Sequence, residues 1–310
     1  MKKLISIVTA TFNEEKNIYS LSKEISAQMH NLDYDYEHII IDNASTDNTQ
    51  QVIRKLCLEN KKVKAIFNNR NFGHIRSPYY AILQTKGDAV ILLSADYQDP
   101  PELIGQLIKK WKNGLDVVLL KRKSSKANFF LELIKIFFYK IINFFAEIKL
   151  LEKTTGSGIF DKKIIEELRK IDEPYPYFRG LIMEITNKIG TVEFDQPDRK
   201  YGKSKNNFFT LFDVAMLGFI KHSKLPLRLM TVTGFVLSFL ACIIGIFFFI
   251  YKLLFWNSFE LGLAPIILGL FFGISFQILL LGIIGEYVGF ILTQVRKIPL
   301  VVEKERINFK

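Results

Sequence analysis

The sequence predicts an α/β domain with a mainly parallel, doubly wound sheet, followed by two membrane-spanning helices. Three observations carry this reading. Short runs rich in Ile, Val and Leu alternate with segments of helical period, the pattern of repeated strand and crossover helix. Polar and acidic clusters come directly after several of those runs, where open α/β sheets bind their ligands. Near the carboxyl terminus, residues 230–251 and 261–285 contain no charged side chain. Each run is long enough to cross a hydrocarbon core of about 30 Å at about 1.5 Å per residue.

Taken in order, residues 4–11 read as a strand, 14–29 as a helix, 38–42 as a strand and 46–58 as a helix. A strand at 63–67, a helix at 77–84, the buried strand beginning at Ala89, a helix at 101–111 and a strand at 116–120 continue the alternation. Asn13, Asp42 and Asp96 then fall at the carboxyl ends of three strands, and such ends converge on one crevice. The last of these is the most informative: Ser94-Ala95-Asp96-Tyr97-Gln98-Asp99-Pro100-Pro101-Glu102 comes after the run Ala-Val-Ile-Leu-Leu. Hard cations such as Mg2+ or Mn2+ take carboxylate and carbonyl oxygens and are commonly shared with substrate phosphates. Asp96 and Gln98 supply such oxygens, and the prolines would close the turn before the next helix. Asp42-Asn43-Ala44-Ser45-Thr46-Asp47 suits a turn and helix cap, and its leading carboxylate can also accept from a pyrimidine N–H.

Composition agrees with this layout. An excess of 42 Lys and Arg over 31 Asp and Glu gives a net charge of +11. That balance suits lipid headgroups, polyphosphates or nucleic acid, and the apolar runs move lipid and phosphate ahead of nucleic acid. The two cysteines, Cys57 and Cys242, lie one in each half, which argues against a structural disulfide. Residues 4–11 are too short and too soon succeeded by Asn13, Glu14 and Glu15 to read as a signal peptide. Lys221, Lys224 and Arg228 precede the first apolar run, and Arg296, Lys297, Lys304 and Arg306 come after the second. The positive-inside rule places both ends in the cytoplasm. The expected organisation is a domain over residues 1–225, a two-helix region over 226–295 and a cytoplasmic tail over 296–310. Residues 129–151 mix Phe, Ile and Leu with Lys135, Lys140 and Lys149 at helical spacing, as in a helix lying in a membrane interface or packed on the domain. Glu286 stands at the expected end of the second span.

The strings TATFNEEKNI, IIIDNASTDNT, NNRNFGHIRS, KGDAVILLSADYQDPPELI, RKYGKSKNNF, HSKLPLRL and LGIIGEYVG resemble the inverting family-2 glycosyltransferases of GT-A fold, a Rossmann-like architecture. More narrowly they resemble the membrane-bound branch that moves a sugar from a nucleotide onto polyprenyl phosphate. The resemblance implies that Phe12, Asn13 and Glu14 line the nucleotide and that Asp42 meets the base. It implies that Asp96 and Gln98 hold the divalent metal, and that Arg199, Lys203, Ser204 and Lys205 belong to a basic loop over the diphosphate. It places Arg122 near the acceptor phosphate. Three acids of the family pattern are missing: Asn43 and Ser94 each replace one, and residues 154–160 lack the aspartate commonly found there, which leaves the usual catalytic base unassigned.

The motifs, the charge and the apolar runs together predict a cytoplasm-facing membrane enzyme. It is expected to transfer a hexose or hexose derivative, carried as a uridine diphosphate sugar, to polyprenyl phosphate. The open alternatives are another lipid-linked acceptor and a catalytically weak membrane scaffold. The sugar and the oligomeric state are not legible, and a homo-oligomer is compatible with the chain.

Overall fold

A computed structural model describes residues 2–123, 151, 153–197, 225–255 and 263–309. The chain divides into two compact units, one holding the sheet together with Lys297–Lys310 and the other the helices within Phe219–Arg296. In chain order the first unit contains β1 (Leu4–Thr11), α1 (Ile18–His30), β2 (Asp35–Asp42), α2 (Thr49–Glu59), β3 (Val63–Asn68), α3 (Gly73–Leu83) and β4 (Ala89–Ser94). A short turn of 3-10 helix leads into α4 (Ile104–Lys112) and β5 (Val117–Arg122). After these come β6 (Thr154–Asp161), α5 (Lys162–Lys170), α6 (Phe178–Ile185) and β7 (Ile189–Phe194). The second unit contributes α7 (Leu225–Leu254) and α8 (Leu263–Val295), and the chain then returns to the first as β8 (Glu303–Ile307).

The eight strands form one sheet in the order β7-β5-β6-β4-β1-β2-β3-β8. β1 pairs in parallel with β2 and β4, β2 with β3, and β5 with β7. Two strands run against the rest, β6 between β4 and β5, and β8 at the edge beside β3. Apolar residues feed both faces in alternation. Ile5, Ile7 and Ile40 join the core with Leu21, Ile53 and Leu107, and Val8, Ile39 and Ile41 join the opposite core with Tyr79, Ile165 and Leu181. A sheet buried on both sides is what near-continuous Ile and Val runs predict.

The expected alternation over the first 120 residues is present, with shifted boundaries. α1 begins at Ile18 rather than at residue 14 because Asn13 turns the chain at φ 60° and Glu14 carbonyl caps Asn17 and Ile18. The larger difference is at the end of the chain. Residues 303–307, expected within a tail, pair antiparallel with β3. Charged residues alternating along an edge strand look like a solvated tail in sequence, yet they are what a sheet edge tolerates. Arg54 donates to both oxygens of Glu305 at 2.7 and 2.6 Å, and Asn308 Nδ2 donates to the Cys57 and Val63 carbonyls at 2.8 Å each. Arg306 reaches Glu303, Tyr80 Oη and Gln84.

In the second unit, the windows Leu229–Tyr251 and Gly269–Val295 have mean hydropathies of 2.5 and 1.9, and neither is buried. Among the described residues these two helices are long and apolar enough to cross a membrane. α8 continues past Glu286 to Val295, so that carboxyl group lies within the helix rather than at its end. The expected interfacial helix at 129–151 lies almost wholly outside the described residues.

One polar cluster inside the sheet unit sets a pH limit. His38 is fully buried, with Nδ1 3.1 Å from Ser22 Oγ and Nε2 3.0 Å from Thr9 Oγ1. Burial holds its pKa down at about 3 against the ordinary 6.5. The unfolded chain therefore takes up this proton first on acidification, so the contribution is intact above about pH 6.5 and is lost progressively below it. Carboxylates such as Glu37 titrate lower; its burial is more than offset by Lys64, Ser6 and the Lys86 amide, which hold it below its ordinary value.

Two outcomes are expected. Melting in detergent at about pH 5 rather than neutral pH should cost the native chain roughly 2 kcal/mol through His38, and His38→Gln should flatten that dependence. An equal slope in both proteins would remove His38 as the cause. Deleting residues 303–310 should expose β3, lower the melting temperature by several degrees and move the protein toward aggregate in size-exclusion chromatography; an unchanged profile would make β8 dispensable.

Candidate active site

The carboxyl ends of β1, β2 and β4 each turn through a residue other than glycine in the left-handed region: Asn13 at φ 60°, Ala44 at 59° and Tyr97 at 63°. Such conformations cost about 1 kcal/mol or more for a residue with a Cβ and persist where the surroundings over-determine them. Here the surroundings are side-chain hydrogen bonds between loops. Asp42, with no exposed surface, accepts from Ser45 N at 3.0 Å, Ser45 Oγ at 2.5 Å and Gln50 Nε2 at 2.8 Å. Asn13 Oδ1 accepts from Thr46 N at 2.8 Å, while the Asn13 and Glu14 amides donate to Ser45 Oγ at 2.9 Å and Thr49 Oγ1 at 2.8 Å. Glu14 Oε2 accepts from Asn17 Nδ2 at 2.6 Å. Phe12, Asn13, Glu14 and Asp42 are therefore brought together, as expected, on adjacent strand ends.

The replacement of an acid by Asn43 has a local reason. Its Nδ2 donates to Asn71 Oδ1 at 2.8 Å and to the Gly73 carbonyl at 3.1 Å, while its Oδ1 accepts from Phe72 N at 2.8 Å and Asn68 Nδ2 at 3.1 Å. A carboxylate offers no donor and could not make the first pair. The amide thus ties the end of β2 to the loop that opens α3.

Asp96 and Gln98 come directly after β4. Asp96 is 7% exposed, and its Oδ1 accepts from Gln98 N at 3.1 Å. Below them Asp99 accepts at one oxygen from Ser94 N at 3.1 Å and from Ser157 Oγ at 2.6 Å. Burial raises the Asp99 pKa, against the lowering effect of those serines. Two positions where the resemblance leads one to expect acids, Ser94 and the 154–160 segment, thus supply hydrogen-bond donors to one buried carboxyl group. Among the described residues no group of three or more His, Cys, Asp or Glu could hold a metal ion. One nearly buried carboxylate with an amide side chain beside it fits a cation whose remaining ligands come from a diphosphate and water.

β6 enters this crevice through a bulge. Gly158 pairs with Leu119 and Thr154 with Lys121, so three residues of β6 face one of β5. Gly158 is obligatory there: a Cβ would lie 2.1 Å from the Val118 carbonyl oxygen. Gly156 turns at φ 86°, and a Cβ on it would meet Arg179 Nε at 3.5 Å. Arg179 Nη1 donates to the Thr154 carbonyl at 3.1 Å, and Arg122 N to the Lys153 carbonyl at 3.0 Å. Arg76, in the first turn of α3, lies 5.3 Å over the Tyr175 ring, and its buried Nε has no hydrogen-bond partner among the described residues. Sequence reasoning does not bring Arg76, Arg179 and Ser157 to these strand ends; the Gly-Ser-Gly of β6 is the available signal, since paired glycines inside a strand mark a bulge or a close approach. Arg199, Lys203, Ser204 and Lys205 lie outside the described residues.

Comparison with known proteins agrees with this frame. Residues 6–169 match the sequence profile of glycosyl transferase family 2. An uncharacterized glycosyltransferase of Synechocystis is 31% identical over 96% of this chain and 93% of its own length. A prophage bactoprenol glucosyl transferase homolog of Escherichia coli K12 is 28% identical over 97% of this chain and 98% of its own. Among solved structures, glucosyl-3-phosphoglycerate synthase of Mycobacterium tuberculosis in complex with Mn2+, UDP-glucose and phosphoglyceric acid is similar in fold. It has a TM-score of 0.51 and 16% identity, over 70% of this chain and 78% of that one. The chain belongs to glycosyl transferase family 2 and is a glycosyltransferase of GT-A fold.

The Asn43 network generates a test. Asn43→Asp restores an acid of the family pattern yet sets a carboxylate against the Asn71 Oδ1 and Gly73 carbonyl acceptors. It should destabilise the protein by about 1–3 kcal/mol in a melting or denaturant titration. Equal or greater stability would show that the amide donors are not needed.

Proposed function

We propose that this glycosyltransferase moves a hexose or hexose derivative from a uridine diphosphate sugar to polyprenyl phosphate, inverting the anomeric centre, at the cytoplasmic face of a membrane. The observation that carries the reading is the meeting, on one family-2 sheet, of the strand-end loops around Asp42, Asp96 and Arg122, in a chain that also holds two exposed apolar helices. Relatives matching nearly the whole chain and named bactoprenol glucosyl transferase support the acceptor class.

The nucleoside would sit over the ends of β1 and β2, lined by Phe12, Asn13 and Glu14. Asp42 Oδ2 accepts from Gln50 Nε2, so a uracil N–H reaching that oxygen would take the place of the Gln50 amide. A divalent cation, Mg2+ or Mn2+, held by Asp96 and Gln98, would neutralise charge on the leaving diphosphate. Arg199, Lys203, Ser204 and Lys205 are assigned to the same diphosphate from the basic-loop motif. The nucleophile needs no strong base: the second pKa of a phosphate monoester is about 6, so the acceptor arrives largely as a dianion. The protein's task is to align that oxygen behind the sugar's C1, with Arg122 as the cation on the acceptor side, and to exclude water.

β8 constrains the topology. Residues 303–307 complete the same sheet as residues 4–194, so the chain between them crosses a membrane an even number of times if it crosses at all. Two spans meet that condition. The basic residues flanking them support a sheet unit on the cytoplasmic side, where nucleotide sugars are made.

Full-length protein in detergent, incubated with undecaprenyl phosphate and a panel of nucleotide sugars, should give one lipid product heavier by one sugar. Asp96→Asn should lower turnover by several orders of magnitude without lowering the melting temperature, because the charge it helps hold is worth several kcal/mol in the transition state. No lipid product with any donor would remove the acceptor reading, and near-native turnover by Asp96→Asn would remove the metal assignment.

A further inference from the structure

Arg179 stands out among the charges of the crevice. It is partly buried, and among the described residues its only hydrogen bond is to the Thr154 carbonyl and it forms no ion pair. A guanidinium withdrawn from water without a counter-charge is costly, and such groups are ordinarily paired. Carboxylates are absent from the neighbouring segment as well: residues 154–160 carry hydroxyls and glycines. Gly156, at φ 86° within the β6 bulge, lies against this side chain: a Cβ on it would sit 3.5 Å from Nε.

Position narrows the ligand. Asp42 ends β2, Asp96 comes after β4, and β6 and β5 are next in the sheet order. Arg179 bonds the first residue of β6, so it lies on the far side of Asp96 from the nucleoside end. The backbone N–H of Arg122 donates to the carbonyl of Lys153, one residue before the carbonyl that the Arg179 guanidinium holds, so the end of β5 runs beside this residue. A guanidinium with no ion-pair partner among the described residues suits a phosphate, whose oxygens accept paired N–H bonds.

We propose that Arg179 is a binding residue for the phosphate monoester of the acceptor. The inference rests on the reading that the acceptor is a polyprenyl phosphate, and it adds the residue that selects the ionised headgroup over an alcohol. Arg179 then shares the dianion with Arg122, the cation assigned to the acceptor side, while a free oxygen faces the sugar.

The test uses full-length protein in detergent with farnesyl phosphate and farnesol as probes, in native, Arg179→Gln and Arg179→Lys forms. By isothermal titration, native protein should bind farnesyl phosphate at least about tenfold more tightly than farnesol. Arg179→Gln should abolish that preference, and Arg179→Lys should restore part of it. In turnover, Arg179→Gln should raise the acceptor KM about tenfold or more with the donor KM within about twofold of native. Equal binding of both probes by native protein, an unchanged preference in Arg179→Gln, or a parallel rise in both KM values would overturn the assignment. Native protein that binds farnesyl phosphate through Arg179 but glycosylates no polyprenyl phosphate would instead overturn the proposed acceptor and leave the phosphate site standing.

Discussion

The crevice depends on buried polar side chains that act as struts between loops. A parallel sheet offers its ligand only the turns beyond its strand ends, and turns have no ladder of their own to hold them. Asp42, Asn43 and Asp99 solve this in the same way. Each is buried at a strand end and accepts two or more hydrogen bonds from neighbouring segments. In an environment where an unsatisfied group costs about 1–3 kcal/mol, such hubs make the alternative loop conformations expensive. That is how three residues with side chains can be kept at positive φ around one site.

The sheet edge imposes a second constraint. β3 would be an open edge if the chain ended after the apolar helices, and exposed edges template aggregation. β8 closes it with residues that come after α8 in sequence, so the fold of the sheet unit is completed only once the apolar hairpin has been made. The Arg54 and Glu305 pair is about two-fifths exposed on each side, and by itself is worth roughly 0.5–1 kcal/mol. The Asn308 amide does more specific work, because it caps two backbone carbonyls from different elements, one at the end of α2 and one at the start of β3. In chain order the two apolar helices are thus preceded by seven strands of the sheet and succeeded by the eighth.

Much of this is legible in the sequence, for identifiable reasons. Strands β1 to β5 announce themselves because both faces are buried and their residues run almost unbroken in Ile, Val and Leu. Asp96 is legible from its place beyond such a run. β8 is not, since Glu-Lys-Glu-Arg-Ile has no apolar face and owes its conformation to β3 and Arg54. β6 is obscured by Thr-Thr-Gly-Ser-Gly, whose last glycine answers a clash with Val118 that exists only in the folded sheet. Asp42 reads as a base contact, and the fold gives its carboxylate a structural duty as well. Asn43 and Ser94 read as losses from a family pattern, whereas each makes a contact within the fold: the Asn43 amide supplies donors that a carboxylate lacks, and Ser94 supplies the backbone N–H that Asp99 accepts.

The charge balance of the crevice ties these substitutions to chemistry. Ser94 and the hydroxyl-rich start of β6 stand where acids would add negative potential, while Arg122 and Arg179 add positive potential on what is proposed as the acceptor side. For a hydroxyl acceptor this would be a poor exchange, because the lost carboxylate is what would draw off the proton during attack. For a phosphate monoester the same exchange is favourable. The nucleophile brings its own charge, repulsion from nearby acids would oppose its approach, and guanidinium groups both bind it and orient it. Cation strength does not blunt the nucleophile entirely, since a phosphate has three oxygens and the arginines need occupy only two. On the proposed reading the site trades a general base for an anion clamp, and the acceptor it suits follows from which of those two devices its residues can build.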